Sequence, residues 1–162
     1  MKKLALAISA IALGAGPALA DHHEETPGRD FSGVYGGSYT CADGEHGFYL
    51  DLSTVTPMDD HWMVSGTLGL FPTLAGTEDG AADVAGSFAV SGTVSADMQI
   101  ELEPGEWLVQ PPRYGAAHLT GELSMFSEGQ WQIEGKPIVP GMPDLCSALV
   151  ATQFLPAHAQ AE

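Results

Sequence analysis

Hydrophobic and polar residues alternate along most of the chain between residues 31 and 154. Phe48, Leu50 and Leu52, for example, occupy every second position of one segment, as is typical of a β-strand with one buried face. Turn residues separate eight such segments, so the sequence predicts an antiparallel up-and-down meander of about eight strands. The first residues of the eight predicted inner series are Tyr35, Phe48, Trp62, Phe88, Met98, Ala117, Trp131 and Cys146.

Three local features refine the predicted strands. Pro104–Gly105 follows the fifth segment and is expected to end that strand. In the sixth segment the alternation places Met125 on the inner face. In the last segment, residues 146–154, the same rule places Cys146, Ala148 and Val150 together on one face.

Glycine interrupts the inner face of five segments. Because glycine contributes no side-chain packing, its recurrence there suggests that the sheet bends sharply at these positions, as closure of a small barrel requires. The sequence therefore favours a closed or nearly closed β-barrel, with a two-sheet β-sandwich as the alternative. Relief of crowding beneath the large aromatic residues is the other interpretation of the glycines. They are Gly37, Gly66, Gly92, Gly121 and Gly135.

The first twenty residues have the features of a secretory signal peptide. A basic start at Lys2 and Lys3 precedes the apolar run 4–13, and Ala18-Leu19-Ala20 offers small residues for cleavage after Ala20. We therefore expect an extracytoplasmic product, periplasmic or secreted, without membrane insertion once the signal peptide is removed. The predicted organisation is a signal peptide (1–20), a polar lead-in (21–30), a single β domain (31–154) and a flexible tail (155–162).

The chain is strongly acidic. It contains 5 Lys and Arg against 21 Asp and Glu, a formal charge of −16, and loss of the two signal-peptide lysines leaves 3 − 21 = −18. Such a charge repels phosphate backbones, so nucleic acid is not an expected partner. Cations, basic proteins or an unknown small ligand remain possible partners, and the charge could also serve solubility alone.

Cys41 and Cys146 are the two cysteines of the sequence. They fall in the first strand and at the start of the last, which become neighbours when an antiparallel meander closes on itself. In an exported protein, two cysteines are expected to pair. The sequence therefore predicts a disulfide that joins the two ends of the β domain, provided that the two Cα atoms lie within about 7 Å.

The order of several short motifs resembles a group of small exported bacterial β domains of unassigned activity. Residues 33–41 match a G-x-Y-x-G-x-Y-x-C signature, and residues 86–92 match G-S-F-x-x-x-G. Residues 102–107 match L-x-P-x-x-W, residues 112–114 match P-x-Y, and Cys146 supplies the late cysteine. The resemblance implies the fold and export, and it carries over no functional residue.

Residues 103–115 form the most unusual local sequence and are interpreted as a candidate binding loop. Trp107, Arg113 and Tyr114 could present aromatic faces and a cation as a recognition surface. The alternative is that Trp107 and Tyr114 fold inward and plug one end of the barrel.

Cleavage after Ala20 would expose Asp21, His22 and His23 at the mature N-terminus. A terminal amine, two amides and a histidine at the third position suit square-planar Cu(II) or Ni(II). A plain polar tail is the alternative interpretation, and no other cofactor is predicted.

No catalytic residue is assigned from the sequence. His46 and His118 have no adjacent catalytic partner and are interpreted as surface histidines, and G-x-S-x-G, H-E-x-x-H and phosphate-binding loops do not occur. The leading hypothesis is therefore a non-enzymatic binding or interaction module. A small-ligand carrier with an open barrel interior is one alternative, and an uncharacterised hydrolase is another.

Overall fold

The computed structural model describes residues 29–71, 85–112 and 114–156. These residues contain no helix that could cross a membrane. The predicted signal peptide and most of the lead-in lie outside the described residues. The eight strands are β1 (Gly33–Cys41), β2 (Gly44–Pro57), β3 (His61–Phe71), β4 (Gly86–Ser95), β5 (Gln99–Val109), β6 (His118–Ser127), β7 (Gln130–Ile138) and β8 (Cys146–Pro156).

The eight strands form a closed antiparallel barrel. Each strand pairs with the next along the chain, and β8 pairs with β1 to complete the ring. The predicted all-β, up-and-down barrel is therefore confirmed, and the β-sandwich alternative is wrong. Alternate residues of the strands meet in one interior, where Phe48, Val90, Leu119 and Ile133 belong to a single buried cluster.

At the five inner glycines the backbone of a neighbouring strand occupies the space that a side chain would need. A Cβ atom at Gly66 would lie 1.7 Å from the carbonyl oxygen of Asp51, and one at Gly92 would lie 1.8 Å from that of Glu101. At all five positions the three nearest atoms belong to the backbone of another strand, so the glycines do not relieve crowding by aromatic side chains. They allow the strong coiling that closes the barrel.

The predicted disulfide between Cys41 and Cys146 is present at the seam of the barrel. The two residues pair directly across β1 and β8, and their Cα atoms are 3.8 Å apart, within the limit for a bridge. The bond joins positions 105 residues apart in the sequence. Structural disulfides persist in oxidising compartments, so this bond indicates an extracytoplasmic environment.

β5 does not end at Pro104–Gly105, as the sequence predicted, but continues to Val109. β5 pairs with β6 only over Gln99–Leu102, so beyond this point β4 is its only partner strand among the described residues. A strand with one free side tolerates a proline, because the missing N–H group need not serve a second neighbour. The pairing with β4 shifts in register near Phe88, which accommodates the irregular backbone.

The prediction of which β8 residues point into the barrel is correct for Cys146 and wrong for Ala148 and Val150. In β1, Thr40 pairs with Ala148 and Cys41 pairs with Cys146. Ser147 therefore has no partner in β1 and is an extra residue in β8. Because side chains alternate with a period of two, one extra residue exchanges the inner and outer faces. Ala148 and Val150 consequently face solvent. The buried residues of β8 are Cys146, Leu149, Ala151 and Gln153.

Two smaller differences concern strand ends. Met125 is exposed instead of buried, although it still pairs with Trp131; it lies near the end of β6, and the register against β7 shifts only after it. β8 extends to Pro156, so Leu155 belongs to the barrel and not to the predicted tail.

The segment that precedes β1 fills one end of the barrel, which we call the closed end. Phe31 is fully buried there, and its ring contacts those of Trp62 and Trp131 edge-on at centroid distances of 5.7 and 6.1 Å. Trp131 Nε1 donates a 3.0 Å hydrogen bond to the carbonyl oxygen of Asp30, and the hydroxyl of Tyr35 donates one to the carbonyl oxygen of Phe31. These contacts fill the interior of the barrel at the closed end.

Candidate functional site

A cavity of about 350 Å³ lies inside the opposite end of the barrel, which we call the open end. This end carries the turn between β1 and β2 and the connection between β7 and β8. The walls of the cavity are mostly apolar because core residues of several strands face it. They include Phe48, Leu68, Phe88, Leu119, Val139 and Leu149.

The cavity forms because two pairs of neighbouring strands separate toward the open end. In β5, only Gln99–Leu102 pair with β6, where their partners are Leu119–Glu122. In β7, only Gln132–Gly135 pair with β8, where their partners are Leu149–Thr152. Beyond these short ladders β5 remains paired with β4 and β7 with β6. The connections 110–117 and 139–145 that follow contribute residues to the cavity wall. The ring of strand pairs is therefore complete nearer the closed end and interrupted at two places toward the open end.

Polar side chains gather at one side of the cavity. His46 Nε2 donates a 3.0 Å hydrogen bond to Asp43 Oδ1, and the His46 ring stacks on Tyr39 with a centroid distance of 5.1 Å and an interplanar angle of 20°. Tyr114, from the connection between β5 and β6, lines the same cavity. We call Tyr39, Asp43, His46 and Tyr114 the polar cluster.

His46 is 7% exposed, so its interpretation as a surface histidine is wrong. It pairs with Tyr39 across β1 and β2. It also stands two residues before Phe48, within the same inner series, so the period-two pattern of the sequence contained the signal for its burial.

The two tyrosines of the polar cluster keep their protons well beyond neutral pH. Burial raises the pKa of the Tyr39 phenol, and the nearby Tyr114 and Asp43 raise it further. Burial also raises the pKa of Tyr114, with a second contribution from Asp43. Both hydroxyl groups are therefore neutral at physiological pH and can donate hydrogen bonds. Asp43 supplies the only carboxylate among the described residues that line the cavity.

The candidate binding loop predicted from the sequence is only partly a loop. Trp107 lies within β5 and packs on Phe88 with a centroid distance of 4.9 Å, against the core of the barrel. Tyr114 lines the cavity, whereas Arg113 lies outside the described residues. Sequence reasoning singled out Tyr114 but missed its closeness to Tyr39 and Asp43, because residues far apart in the chain meet only in the closed barrel.

His118 lies on the outer side of the strand interface between β5 and β6, away from the cavity. Its Nδ1 atom is 3.3 Å from Glu103 Oε1, and its Nε2 atom is buried without a hydrogen-bond partner among the described residues. Its side chain is 27% exposed, so it is less accessible than the sequence predicted for a surface histidine.

In the part of the chain that the structure describes, no three His, Cys, Asp or Glu side chains are grouped closely enough to hold a metal ion. The predicted Cu(II) or Ni(II) ligands Asp21, His22 and His23 lie outside the described residues. Metal binding at the mature N-terminus therefore stays a prediction.

A second depression, of about 850 Å³, lies at the closed end. Its walls include the N-terminal segment, with Arg29 and Asp30, and the connection between β2 and β3, with Asp59. Phe31, Trp62 and Trp131 fill the barrel interior at this end, and Trp62 also lines the depression. The depression is therefore a feature of the outer surface.

No family model, no curated protein and no solved structure matches this chain. The resemblance to small exported bacterial β domains therefore stays a prediction.

Proposed function

We propose that the protein is a non-enzymatic binding module that holds a small, largely apolar molecule in the open end of its barrel. The observation that carries this proposal is the uneven filling of the interior. Phe31, Trp62 and Trp131 pack the closed end, whereas apolar side chains at the open end surround an unfilled volume of about 350 Å³.

The size and chemistry of the cavity both support ligand binding. Its volume falls at the lower end of the range of about 300–1,000 Å³ that is typical of small-molecule sites. Apolar walls with a few convergent polar groups are also typical of such sites, since burial of apolar surface supplies affinity and the polar groups orient the ligand. The polar cluster provides such groups on one side.

The proposal corresponds to the small-ligand carrier, which the sequence offered as an alternative to an interaction module with an exposed contact loop. Trp107 packs toward the core, so the segment 104–115 does not present it as an exposed anchor. A hydrolase of the glycosidase type would need two carboxyl groups in one site, and the described cavity wall contains the single acid Asp43. The cavity therefore supports binding better than hydrolysis.

We further propose that the protein acts in a periplasm or outside the cell. The disulfide between Cys41 and Cys146 supports an oxidising location, and the charged and apolar pattern of residues 1–20 supports export. Mass spectrometry of the exported protein should give a chain that begins at Asp21. A chain retaining residues 1–20 would contradict cleavage.

The binding proposal can be tested by filling the cavity. Val139 lines it, whereas Val150 lies on the outer face of β8 and is 46% exposed, so the same Val→Trp change can be made inside and outside. The uncharged fluorescent probe N-phenylnaphthylamine should bind the unaltered protein and be displaced by decanol. Val139→Trp should weaken binding of both molecules at least about tenfold, because the indole occupies the apolar volume.

Val150→Trp is the matched control and should leave both affinities unchanged. Circular dichroism and thermal unfolding should show that both variants retain the fold. Failure of probe and decanol to bind the unaltered protein, or equal binding by the two variants, would contradict the proposed function.

A further inference from the structure

We infer that the cavity selects amphiphilic amines, molecules that carry a positively charged amino group on an apolar chain, and that Asp43 recognises the amino group. This inference rests on the proposed function, because it names the ligand class for the same cavity.

The polar cluster gives the cavity one charged side. Asp43 carries the acidic oxygen that accepts the hydrogen bond from His46, and its side chain is 65% exposed, so it keeps room for a second donor. A carboxylate has about four lone-pair positions on two oxygens and can accept from His46 and from an ammonium group together. A carboxylic acid ligand would instead meet a like charge at this point.

Two tyrosine side chains lie near that carboxylate. The stacked rings of Tyr39 and His46 lie on one side, and Tyr114 is close enough for Asp43 to affect its pKa. The faces of phenol rings attract cations through their quadrupole, and the attraction increases when the cation is partly removed from water. A carboxylate flanked by tyrosines is therefore suited to an ammonium group.

The remainder of the wall suits the chain of such a molecule. Leu68, Leu119 and Leu149 are buried apolar residues that reach the cavity from three strands. The lining residues within 29–71, 85–112 and 114–156 include no Lys or Arg. The formal charge of −16 for the whole chain adds a field that attracts cations and repels anions.

Three probes of equal chain length separate the effect of charge from that of the apolar chain: decylamine, decanol and decanoic acid. Their affinities for the purified protein are measured by calorimetry at neutral pH and low ionic strength. We expect decylamine to bind about tenfold more tightly than decanol, a difference of about 1.4 kcal/mol, and decanoic acid to bind more weakly than decanol.

Asp43→Asn tests the residue. Asparagine retains an oxygen that can accept the hydrogen bond of His46, so the change removes the charge and preserves the local contact. The variant should bind decylamine about tenfold more weakly and decanol as before. Asp97→Asn, in the exposed turn between β4 and β5 at the closed end, removes the same charge from the chain and should change neither affinity.

Several outcomes would overturn the inference. Equal affinity for the three probes would show that the cavity binds apolar chains without charge selection, which leaves the proposed function intact. If the protein bound decanoic acid most tightly, and Arg113→Ala removed this preference, Arg113 and not Asp43 would select the ligand. Equal loss of decanol and decylamine in Asp43→Asn would show a structural role for Asp43. Failure of all three probes to bind would refute the proposed function as well.

Discussion

The side-chain amide of Gln153 donates a 2.7 Å hydrogen bond to the main-chain carbonyl oxygen of Ser32, and so connects β8 to the segment that fills the closed end. The amide oxygen of the same residue accepts a 3.2 Å hydrogen bond from the main-chain N–H of Trp131 in β7. Gln153 is 1% exposed, so its amide group is removed from water and is satisfied by these two backbone groups. One buried polar side chain thus joins three separate parts of the chain.

Gln153→Leu should lower the free energy of unfolding by about 2–4 kcal/mol, because a side chain of similar size leaves the Ser32 carbonyl and the Trp131 N–H without partners. Urea unfolding monitored by tryptophan fluorescence measures this loss. Gln99→Leu, at an exposed position of β5, is the control and should change stability by less than about 0.5 kcal/mol. Equal effects of the two changes would show that the buried hydrogen bonds contribute little.

Gly92→Ala should destabilise the barrel by about 2 kcal/mol or more, because the new methyl group would lie 1.8 Å from the Glu101 carbonyl oxygen and would force β4 and β5 apart. A Cβ at Gly115 meets no atom within 4 Å, so Gly115→Ala is a matched control with an expected effect near zero. Thermal and urea unfolding of both variants provide the comparison. Similar stability of the two would contradict the role of the inner glycines in closing the barrel.

Replacing both Cys41 and Cys146 by serine should cost about 2–5 kcal/mol, since the unfolded chain is then free of a cross-link between distant positions. The midpoint of urea denaturation should fall in the double variant and, to a similar extent, in the reduced unaltered protein. Reducing agent should have no further effect on the double variant. An unchanged midpoint after full reduction would contradict this prediction.

Stability should decrease at alkaline pH because of two buried tyrosines. Burial raises the pKa values of Tyr35 and Tyr39 far above the ordinary value of about 10, with added effects of nearby Asp30 on the former and of Tyr114 and Asp43 on the latter. Unfolded chains release these protons near pH 10 while the folded protein retains them. The contribution to stability is therefore complete below about pH 10 and decreases as the pH rises further.

The expected loss between about pH 9 and pH 11 is up to ~1.4 kcal/mol for each tyrosine. Urea unfolding across this range, with the absorbance of phenolate as a second readout, measures it. Tyr35→Phe should lower stability at neutral pH, through loss of the hydrogen bond to the Phe31 carbonyl oxygen, and should also reduce the decline at high pH. If the double variant Tyr35→Phe/Tyr39→Phe lost as much stability between about pH 9 and pH 11 as the unaltered protein, the two tyrosines would not be the cause of the loss.

Local pattern was sufficient to predict the strands because a half-buried strand repeats every two residues, whatever its neighbours are. Phe48, Leu50 and Leu52 show this in β2, where the predicted inner residues are all buried. The pattern failed where strand pairing is irregular. Val150 faces solvent because an extra residue, Ser147, enters β8 opposite β1, and this bulge depends on the pairing and not on the sequence of β8 alone.

The candidate site was less accessible to sequence reasoning than the fold. Tyr114 was singled out as part of an aromatic segment, and the burial of His46 could have been inferred from its place in the inner series. The cavity itself could not be inferred, because it depends on how far β5 pairs with β6 and β7 pairs with β8. Those lengths follow from contacts between distant segments, which a single sequence does not display.

By itself, the sequence determined eight alternating segments in an antiparallel meander, because side-chain alternation is a local property. The inner glycines and the positions of the two cysteines favoured a closed barrel with a disulfide at its seam over a β-sandwich, and the structure has that barrel. Only the tertiary structure decided which end of that barrel is filled and which is open. Phe31 packs between tryptophans of two different strands at one end, while strands separate at the other, and both arrangements arise from packing between parts of the chain far apart in sequence.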